Sequence, residues 1–301
     1  MHSGHSMVIA EMDADILAIE TDKALLEEER FNARANAIDF IDFHIINRID
    51  GLLTDKDEPG LTIIKQRAAL AKYRLEETDS NLFKRLREQI SSGAHPQSFF
   101  VDSIHKYFGD EFNPPGKVGY DNLDIFINGL LSDQPLPEAS IARQPEMVFY
   151  QQTPARVIFE LAKRATLTPN DVLLDIGSGL GHVPILINLL TGVKTLGVEY
   201  EPTYCDYAAA CAAKLNLPNV AFINQPAQNA CYTEGSVFFM YTPFEGRILR
   251  QMLDLLKKES LKRPIRIFTY GPCSPHVALQ NWLTCVNGPA DDTYTLYEFW
   301  G

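Results

Sequence analysis

Apolar residues recur three and four positions apart through most of the first 131 residues, and polar or acidic residues occupy the positions between them. This spacing puts the apolar side chains on one face of a helix, so it predicts amphipathic helices. We expect one or two helices within residues 8–48, and further helices over 62–77, from a cap at Asp79 or Ser80 to just before Gly93, over 98–108 and over 120–131. Residues 1–145 are therefore predicted to be an all-helical region.

The pattern changes after residue 148, where short apolar runs alternate with segments of helical periodicity. Five runs of strand length end at Leu174, Glu199, Asn224, Tyr241 and Tyr270. Such alternation is typical of a parallel sheet with helices on both faces, and the final segments, separated by the turn GPADD, predict an antiparallel hairpin. We predict an α/β fold with a doubly wound, mostly parallel, Rossmann-like seven-stranded sheet that closes with this C-terminal hairpin.

The boundary between the two patterns is marked by residues 132–147, which hold three prolines and little periodicity and so predict a connector. Thr153 and Pro154 follow, and these residue types are favoured at the N-cap and at the first position of a helix. Two domains are predicted: residues 1–145 as a cap or substrate-recognition region, and residues 146–301 as a cofactor-binding domain.

The charge is unevenly distributed, with a formal net charge of −12 at pH 7. Residues 146–301 carry 12 Lys and Arg against 14 Asp and Glu, which leaves 15 against 25, a net charge of −10, for residues 1–145. A surface of this sign disfavours tight nonspecific binding of nucleic acid. It suits a basic protein, a cationic metabolite or a neutral small molecule, although acidity that only maintains solubility is the commoner explanation.

The cysteines and the hydropathy of the sequence predict the compartment in which the protein works. Five irregularly spaced cysteines without a C-x-x-C pair predict reduced thiols and no metal site. No apolar run reaches the roughly 18 uncharged residues of a membrane span, and the first residues lack the features of a signal peptide. We expect a cytoplasmic protein without membrane association, and the sequence leaves the oligomeric state open.

One segment, VLLDIGSGLGHVPILINLLTGVKTLGVEYEP over residues 172–202, carries the chemistry. An apolar strand leads to Asp175 and to three glycines at alternate positions, Gly177, Gly179 and Gly181. A helix and a second strand ending at Glu199 follow. Because glycines leave the backbone open to a ligand, and a carboxylate at a strand end can accept from two neighbouring hydroxyls, this βαβ unit predicts a site for an adenosine-containing cofactor.

These residues resemble a known family. DIGSGLG matches the D/E-x-G-x-G-x-G motif of class I S-adenosylmethionine-dependent methyltransferases, and VEYEP matches their second-strand motif. The resemblance covers residues 148–301 and implies S-adenosylmethionine as the cofactor. It places the glycine loop beside the methionine and ribose parts, Asp175 near the cofactor's amino group, and Glu199 on the ribose hydroxyls. The cofactor-binding residues implied are Asp175, Gly177, Ser178, Gly179, Gly181, Glu199, Tyr200, Gln225, Tyr241, Thr242 and Thr153.

Two segments depart from the family pattern. After the third strand, NQPAQ replaces the acidic residue that reads the adenine amine in many members, with Gln225 as the candidate acceptor. After the fourth strand, YTPF resembles the N/D-P-P-Y/F motif of amino-group methyltransferases, but Tyr241 stands where that motif has Asn or Asp. This argues against methylation of nucleobases, and packing at the sheet edge is an equal alternative for Tyr241 and Phe244.

A second, looser resemblance is to the histone-lysine methyltransferases that use this fold instead of a SET domain. In those enzymes a helical N-terminal region precedes an aromatic residue and a threonine upstream of the first strand, comparable to Tyr150 and Thr153. A helix cap with an aromatic contact is the alternative for this pair. His182 directly follows the glycines, where a structural role is more usual than a catalytic one.

The predicted function is transfer of a methyl group from S-adenosylmethionine to an acceptor that the sequence does not identify. A protein side chain or a small molecule is favoured over nucleic acid. The catalytic residues are unknown, with Tyr241 and Tyr150 as candidates. Two alternatives stay open: a non-catalytic module that keeps the cofactor fold to bind a partner, and an NAD-dependent Rossmann oxidoreductase.

Overall fold

The structure is a computed structural model, and it describes residues 2–53, 58–93, 95–109 and 119–301. Its centre is a seven-stranded sheet in the order β3-β2-β1-β4-β5-β7-β6. The strands are β1 (Val172–Ile176), β2 (Lys194–Glu199), β3 (Val220–Asn224), β4 (Val237–Tyr241), β5 (Arg266–Tyr270), β6 (Thr284–Cys285) and β7 (Tyr297–Trp300). The first five are parallel, and β7 pairs antiparallel with both β5 and β6. The predicted fold class is confirmed.

Helices fill the first part of the described chain and both faces of the sheet. They are α1 (His2–Thr21), α2 (Phe31–Phe40), α3 (Asn47–Leu53), α4 (Pro59–Ser92), α5 (Pro96–Phe108), α6 (Asn122–Leu131), α7 (Ala155–Ala165), α8 (His182–Thr191), α9 (Pro202–Lys214), α10 (Gly246–Ser260) and α11 (Ser274–Ala278). A π-helical stretch, Ile41–Ile46, joins α2 to α3. The first helix begins at His2, earlier than the predicted residue 8.

The strand order reverses next to β1, where β2 lies on one side and β4 on the other. Asp175 of β1 is in register with Gly197 of β2 and Phe239 of β4. In open α/β sheets the crevice at the carboxyl ends of the strands, at this reversal, is the general ligand site. The predicted glycine turn follows β1 and therefore lies at this crevice.

The predicted helix boundary at Asp79 or Ser80 is wrong, because α4 is one continuous helix through this point. Neither side chain caps a new helix. The Ser80 hydroxyl donates to the Glu76 carbonyl one turn back at 2.8 Å, which is compatible with a helix interior. Asp79 instead accepts a hydrogen bond from Nε of the fully buried Arg34 of α2 at 2.6 Å.

The predicted start of α7 is also corrected. The helix begins at Ala155, with Pro154 in the N-cap position and no capping bond from Thr153. The Ala155 N–H donates to Asp124 Oδ1 of α6 at 2.8 Å, while Asp124 Oδ2 accepts from the Asp121 N–H at 2.9 Å. A carboxylate from another helix therefore satisfies the first N–H of α7, which no local pattern could indicate.

Two hydrophobic cores involve the helical region. A core among α1, the α2–α3 segment and the first half of α4 is purely helical. A second core joins α2, the second half of α4, α5 and α6 to α7, α8 and one face of the sheet. Within it, Gly129 of α6 lies so close to Phe83 of α4 that a Cβ at Gly129 would come within 2.1 Å of the ring. The domain boundary at residue 145 stays a prediction, and the second core runs across it.

The opposite face of the sheet is covered by α10 and α11, whose apolar side chains pack against β1, β4 and β5. Within the described part of the chain, no helix combines the length and the hydropathy that a membrane span requires.

Candidate active site

The glycine loop after β1 turns sharply back toward β2. Gly177, Gly179 and Gly181 have φ angles of 82°, 50° and 84°, in the left-handed region that favours glycine. The N–H groups of Gly177 and Ser178 both donate to the Val198 carbonyl, at 2.9 and 3.0 Å. The loop is therefore anchored on the strand that carries Glu199.

Glu199 is fixed by backbone donors on both oxygens. Its Oε2 accepts from the Gly179 N–H at 2.7 Å, and its Oε1 accepts from the Glu201 N–H at 2.8 Å. Burial raises the pKa of this carboxyl above its ordinary value, while these hydrogen bonds act in the opposite direction. Because each carboxylate oxygen has a second lone pair, Glu199 keeps the capacity to accept from hydroxyl groups of a ligand.

Asp175 lies one strand away and is only 3% exposed. Burial, together with the charge of Glu199, raises the pKa of Asp175 well above its ordinary value. Two carboxyls so close in a desolvated setting disfavour full ionisation of both. A ligand with positive charge would favour their ionised forms, because it would offset this repulsion.

A cavity of about 460 Å³ lies over the carboxyl ends of β1, β2 and β4. Of the residues predicted to bind a cofactor, those that line it are Gly177, Glu199, Tyr200, Gln225, Tyr241 and Thr242, and Tyr150 lines it too. Five others stand outside the lining: Asp175, Ser178, Gly179, Gly181 and Thr153. Thr153 is buried beside the start of α7, and Asp175 lies within β1 below the loop.

The loop residues outside the lining are enclosed by neighbouring groups. A Cβ at Gly179 would come within 2.2 Å of the Tyr150 ring, and one at Gly197 would come within 2.5 Å of Ser178 Oγ. This Ser178 hydroxyl is buried and has no hydrogen-bond partner among the described residues. The loop is thus packed between Tyr150 and β2 with no room for larger side chains.

Tyr150 covers the glycine loop from above. Its ring lies against Gly179, and its ring centroid lies 5.4 Å from that of Tyr204. Burial raises the pKa of Tyr150, so the phenol stays neutral at ordinary pH. Tyr150 therefore acts on the site through packing, not as an ionised base.

Tyr241 ends β4 at the cavity. Its ring lies 5.1 Å from the Tyr270 ring of β5, centroid to centroid, at an interplanar angle of 55°. Burial, with a contribution from Tyr120 and Tyr294, raises the pKa of Tyr241 to about 12. Burial also raises the pKa of Tyr270 to about 12, with smaller contributions from Tyr241 and Tyr294. Tyr241 thus presents a neutral aromatic side chain to the cavity, and the buried Tyr270 ring packs against it from β5.

The residues after β3 divide their roles. Asn224 uses its amide to donate to the carbonyls of Glu199 and Tyr200, both at 3.0 Å, so it supports the end of β2. Gln225 lines the cavity. Gln228 lies just beyond, and its buried Oε1 has no hydrogen-bond partner among the described residues. The amide oxygens of Gln225 and Gln228 are therefore the candidate acceptors of this segment.

His182 begins α8 directly after the glycine loop and is buried. Its Nε2 is hydrogen-bonded to Asn128 Oδ1 of α6 at 2.8 Å. Burial lowers the pKa of His182 to about 4, so the ring is neutral and donates to the amide oxygen. The structural role favoured by the sequence is therefore the observed one, and it ties the glycine loop to the helical region.

The connector contributes a wall that sequence reasoning missed. Ala139, Ile141, Arg143 and Met147 line the cavity, although the proline-rich pattern of residues 132–147 predicted only a link between two halves. Glu201 also lines the cavity and was missed. Its neighbour Glu199 was found through a motif, whereas the partners of Glu201 lie about sixty positions earlier in the sequence.

The site fits an adenosine-containing cofactor. Its volume lies in the range of about 300 to 1,000 Å³ usual for small-molecule sites. Gly177 exposes backbone to the cavity, and Glu199 presents a positioned carboxylate with free lone pairs. The buried carboxyl pair of Asp175 and Glu199 suits a ligand that carries positive charge.

The fold and the site are similar to those of class I S-adenosylmethionine-dependent methyltransferases, as the sequence predicts, and the residues at the cavity fit S-adenosylmethionine as the cofactor. Residues 146–234 match the family of the histone methylation protein DOT1. This segment includes the glycine loop, Glu199 and Tyr150, so the predicted similarity to the non-SET histone-lysine methyltransferases is also confirmed. None of the curated proteins matches the chain.

Several solved methyltransferase structures are similar to parts of the chain. An RNA methyltransferase from Salinibacter ruber, in complex with S-adenosylhomocysteine, is 19% identical with a TM-score of 0.40, covering 50% of this chain and 92% of that chain. A methyltransferase from Aquifex aeolicus is 16% identical with a TM-score of 0.39, covering 48% and 87%. Precorrin-6y C5,15-methyltransferase from Geobacter metallireducens is 16% identical with a TM-score of 0.37, covering 53% and 91%. Similarities at this level carry no information on the acceptor.

Proposed function

We propose that this methyltransferase acts on an amine of a basic protein side chain. The observation that carries the proposal is the aromatic ring of Tyr241, which lines the cavity and is supported from behind by the buried Tyr270 ring. Neutral aromatic faces attract cations, and this attraction is stronger where water is excluded. The family match to a histone methylation protein and the net charge of −10 on residues 1–145 support a basic protein as the acceptor.

The residues at the carboxyl edge would hold the cofactor as follows. Glu199 would accept from the two ribose hydroxyls, and Gly177 would offer its backbone beside them. Gln225 accepts from the adenine amine, with Tyr200 and Thr242 as further walls. When bound, S-adenosylmethionine supplies a methyl group on an activated sulfonium. The acceptor amine would give its proton to water on entry and attack the methyl group as the neutral base, with S-adenosylhomocysteine as the leaving group. The chain itself contributes alignment of the acceptor against Tyr241 and a site shielded from bulk solvent.

The cofactor half of the proposal is tested by calorimetry with S-adenosylmethionine, S-adenosylhomocysteine and NAD. We expect binding of the first two, and a loss of at least about tenfold in affinity for Glu199→Gln, since about 1.4 kcal/mol corresponds to one hydrogen bond's contribution. Glu234→Gln is the matched control, because Glu234 is an exposed carboxylate paired with Lys194 away from the cavity. Binding of NAD alone would reject a methyl-donor site.

The acceptor half is tested by transfer of labelled methyl groups to a lysine-rich protein. We expect Tyr241→Leu to lower kcat/KM by about tenfold or more because the cation loses an aromatic face, whereas Tyr241→Phe keeps most of the activity. Tyr73→Leu, on the exposed surface of α4, is the control. Label found only on nucleic acid or on small molecules would contradict a protein amine as the acceptor.

A further inference from the structure

Residues 138–151, named the strap from here on, cross the cavity between the carboxyl ends of β2 and β4. On the β4 side the strap is fixed by backbone contacts. Met147 forms an antiparallel bridge with Phe244, and the Val148 N–H donates to the Pro243 carbonyl at 3.1 Å. The Glu146 carboxylate accepts from the Ile248 N–H at 2.8 Å, at the start of α10. The β4 end of the strap is therefore fixed to the segment that follows β4 and to the start of α10.

On the β2 side the strap is held by side chains: the Thr203 hydroxyl donates to the Glu138 carbonyl at 2.8 Å, the Tyr200 hydroxyl donates to the Ala142 carbonyl at 3.4 Å, and Glu201 makes the remaining bonds. Glu201 Oε1 accepts from both the N–H and the hydroxyl of Ser140, at 2.9 and 2.5 Å, and Oε2 accepts from the Ile141 N–H at 3.1 Å. Glu201 is only 6% exposed. Burial alone would raise its pKa, but hydrogen bonds from Ser140, Ile141 and Thr203 lower the pKa to about 2. The carboxylate therefore stays ionised, and its bonds to the strap are charge-assisted.

Glu201 also contacts the residue expected to bind the ribose. Its backbone N–H donates to Glu199 Oε1 at 2.8 Å. One residue thus positions both Glu199, on the floor of the cavity, and the strap that forms its wall. Ile141, at the β2 end of the strap, and Arg143, between the two ends, both line the cavity. The Arg143 guanidinium lies 3.4 Å from the centroid of the Phe149 ring.

We propose that Glu201 is a positioning residue that latches the strap over the bound cofactor and so sets the rate of cofactor exchange. The proposal rests on the cofactor site put forward above. Its physical basis is the asymmetry of the two ends. Breaking the β4 end would disrupt backbone pairing, whereas the β2 end is held, among the described residues, through side chains alone. Glu201 makes three of these bonds, and the Thr203 and Tyr200 hydroxyls make the other two. The strap therefore opens at Glu201, and the cofactor enters from that side.

The experiment compares Glu201→Gln with wild type in the full chain. Glutamine replaces one acceptor oxygen with a donor that faces N–H groups, so the latch is lost while the volume is kept. We expect trypsin to cleave after Arg143 at least about tenfold faster in the ligand-free variant, since the lost bonds involve a charged group. S-adenosylhomocysteine should dissociate faster by a similar factor, and KM for the cofactor should rise more than kcat falls. Glu138→Gln, an exposed carboxylate on the strap, is the matched control.

A second variant separates loss of the latch from a general loss of stability in the Glu201→Gln protein. Ser140→Ala removes one donor from the strap and leaves both carboxylates intact. It should show the same changes to a smaller degree, with no further effect when combined with Glu201→Gln. Unchanged Arg143 cleavage and unchanged dissociation in both variants would overturn the latch. If wild type does not bind S-adenosylhomocysteine, the proposed function fails, whereas cleavage of the ligand-free proteins still decides whether Glu201 holds the strap.

Discussion

Glu199 and Glu201 show how neighbouring carboxylates acquire different tasks from their hydrogen bonds. Glu199 receives one N–H on each oxygen and keeps lone pairs directed at the cavity. The Glu201 carboxylate instead accepts hydrogen bonds from the strap and from Thr203 at the start of α9. The pKa of Glu199 is raised by burial, and that of Glu201 is lowered by its many donors. Identical side chains two positions apart thus differ in which form the fold stabilises.

His182 makes folding stability depend on pH. Its pKa is about 4 in the folded protein because the ring is buried, against 6.5 when exposed. Between these values the unfolded chain binds a proton that the folded chain does not, so stability is complete above pH 6.5 and falls as the pH drops toward 4. The full loss from this residue is about 3 kcal/mol.

Urea denaturation at pH 7.0, 5.5 and 4.5 measures this effect. In His182→Gln, which is neutral at every pH and can still bond to Asn128, the decrease between pH 7.0 and 4.5 should be smaller by the contribution of this ring. His95→Gln, at the exposed start of α5, should keep the wild-type decrease. Identical pH profiles for His182→Gln and wild type would show that the ring is not buried as a neutral group.

Local signals account for the parts of the site that the sequence predicted. The glycines, Asp175 and Glu199 stand in one βαβ unit, so short-range spacing was sufficient to bring them together. Glu201 and Ser140 are far apart in sequence, and so are Tyr241 and Tyr270. Their pairing depends on the order of the strands and on the path of the connector, and neither leaves a periodic trace in the sequence. The roles of Asp175 and Glu199 in binding the cofactor, and of Tyr241 in binding the acceptor, stay predictions that the experiments above test.

At the scale of elements, α4 shows where a cap-like sequence misleads. Asp79 and Ser80 are favoured helix starters, yet the helix continues through both. Asp79 is the only carboxylate partner of Arg34 among the described residues, and Arg34 also donates to the carbonyls of Leu25 and Glu27. Asp79 therefore pairs with the buried Arg34 guanidinium instead of capping a helix, because an unpaired buried guanidinium would be costly.

Removing this carboxylate should weaken the packing of α2 on α4. Asp79→Ala leaves Arg34 buried and unpaired, and breaking a buried ion pair in this way costs about 3 kcal/mol or more. Urea denaturation measures the loss. The exposed Glu77→Ala on the same helix should change the free energy of unfolding by no more than about 0.5 kcal/mol. Replacing both partners by apolar residues, as in Arg34→Met with Asp79→Leu, should recover much of the loss. An Asp79→Ala protein as stable as wild type would show that Arg34 reaches water.

At the scale of the molecule, the helical region and the sheet share one hydrophobic core. Phe126 of α6 is fully buried in that core together with Leu173 of β1 and Phe239 of β4. The purely helical core is joined to it through α4, which contributes residues to both. The two patterns visible in the sequence therefore describe two kinds of secondary structure, and the packing connects them into a continuous interior.

This shared core predicts a single unfolding transition. Far-UV circular dichroism follows mainly the helices, whereas fluorescence follows Trp282 and Trp300, which lie near the C-terminal hairpin. The two midpoints in urea should coincide, as expected of a cooperative unit. Phe126→Ala should lower both together, with a loss of about 3 to 5 kcal/mol. Separate midpoints, with only the helical signal shifted by the substitution, would indicate independent folding of the helical region.

Close contact at two glycines has an evolutionary consequence. Gly129 lies within a helix and Gly197 within a strand, where glycine is intrinsically unfavourable by about 0.5 to 1 kcal/mol relative to alanine. Even so, a Cβ at Gly129 would collide with Phe83, and one at Gly197 would collide with Ser178 and Phe222. Alanine can enter either position only after a neighbouring side chain has become smaller. The order in which substitutions accumulate in descendants of this sequence is thus constrained, and the same change is tolerated or harmful depending on what preceded it.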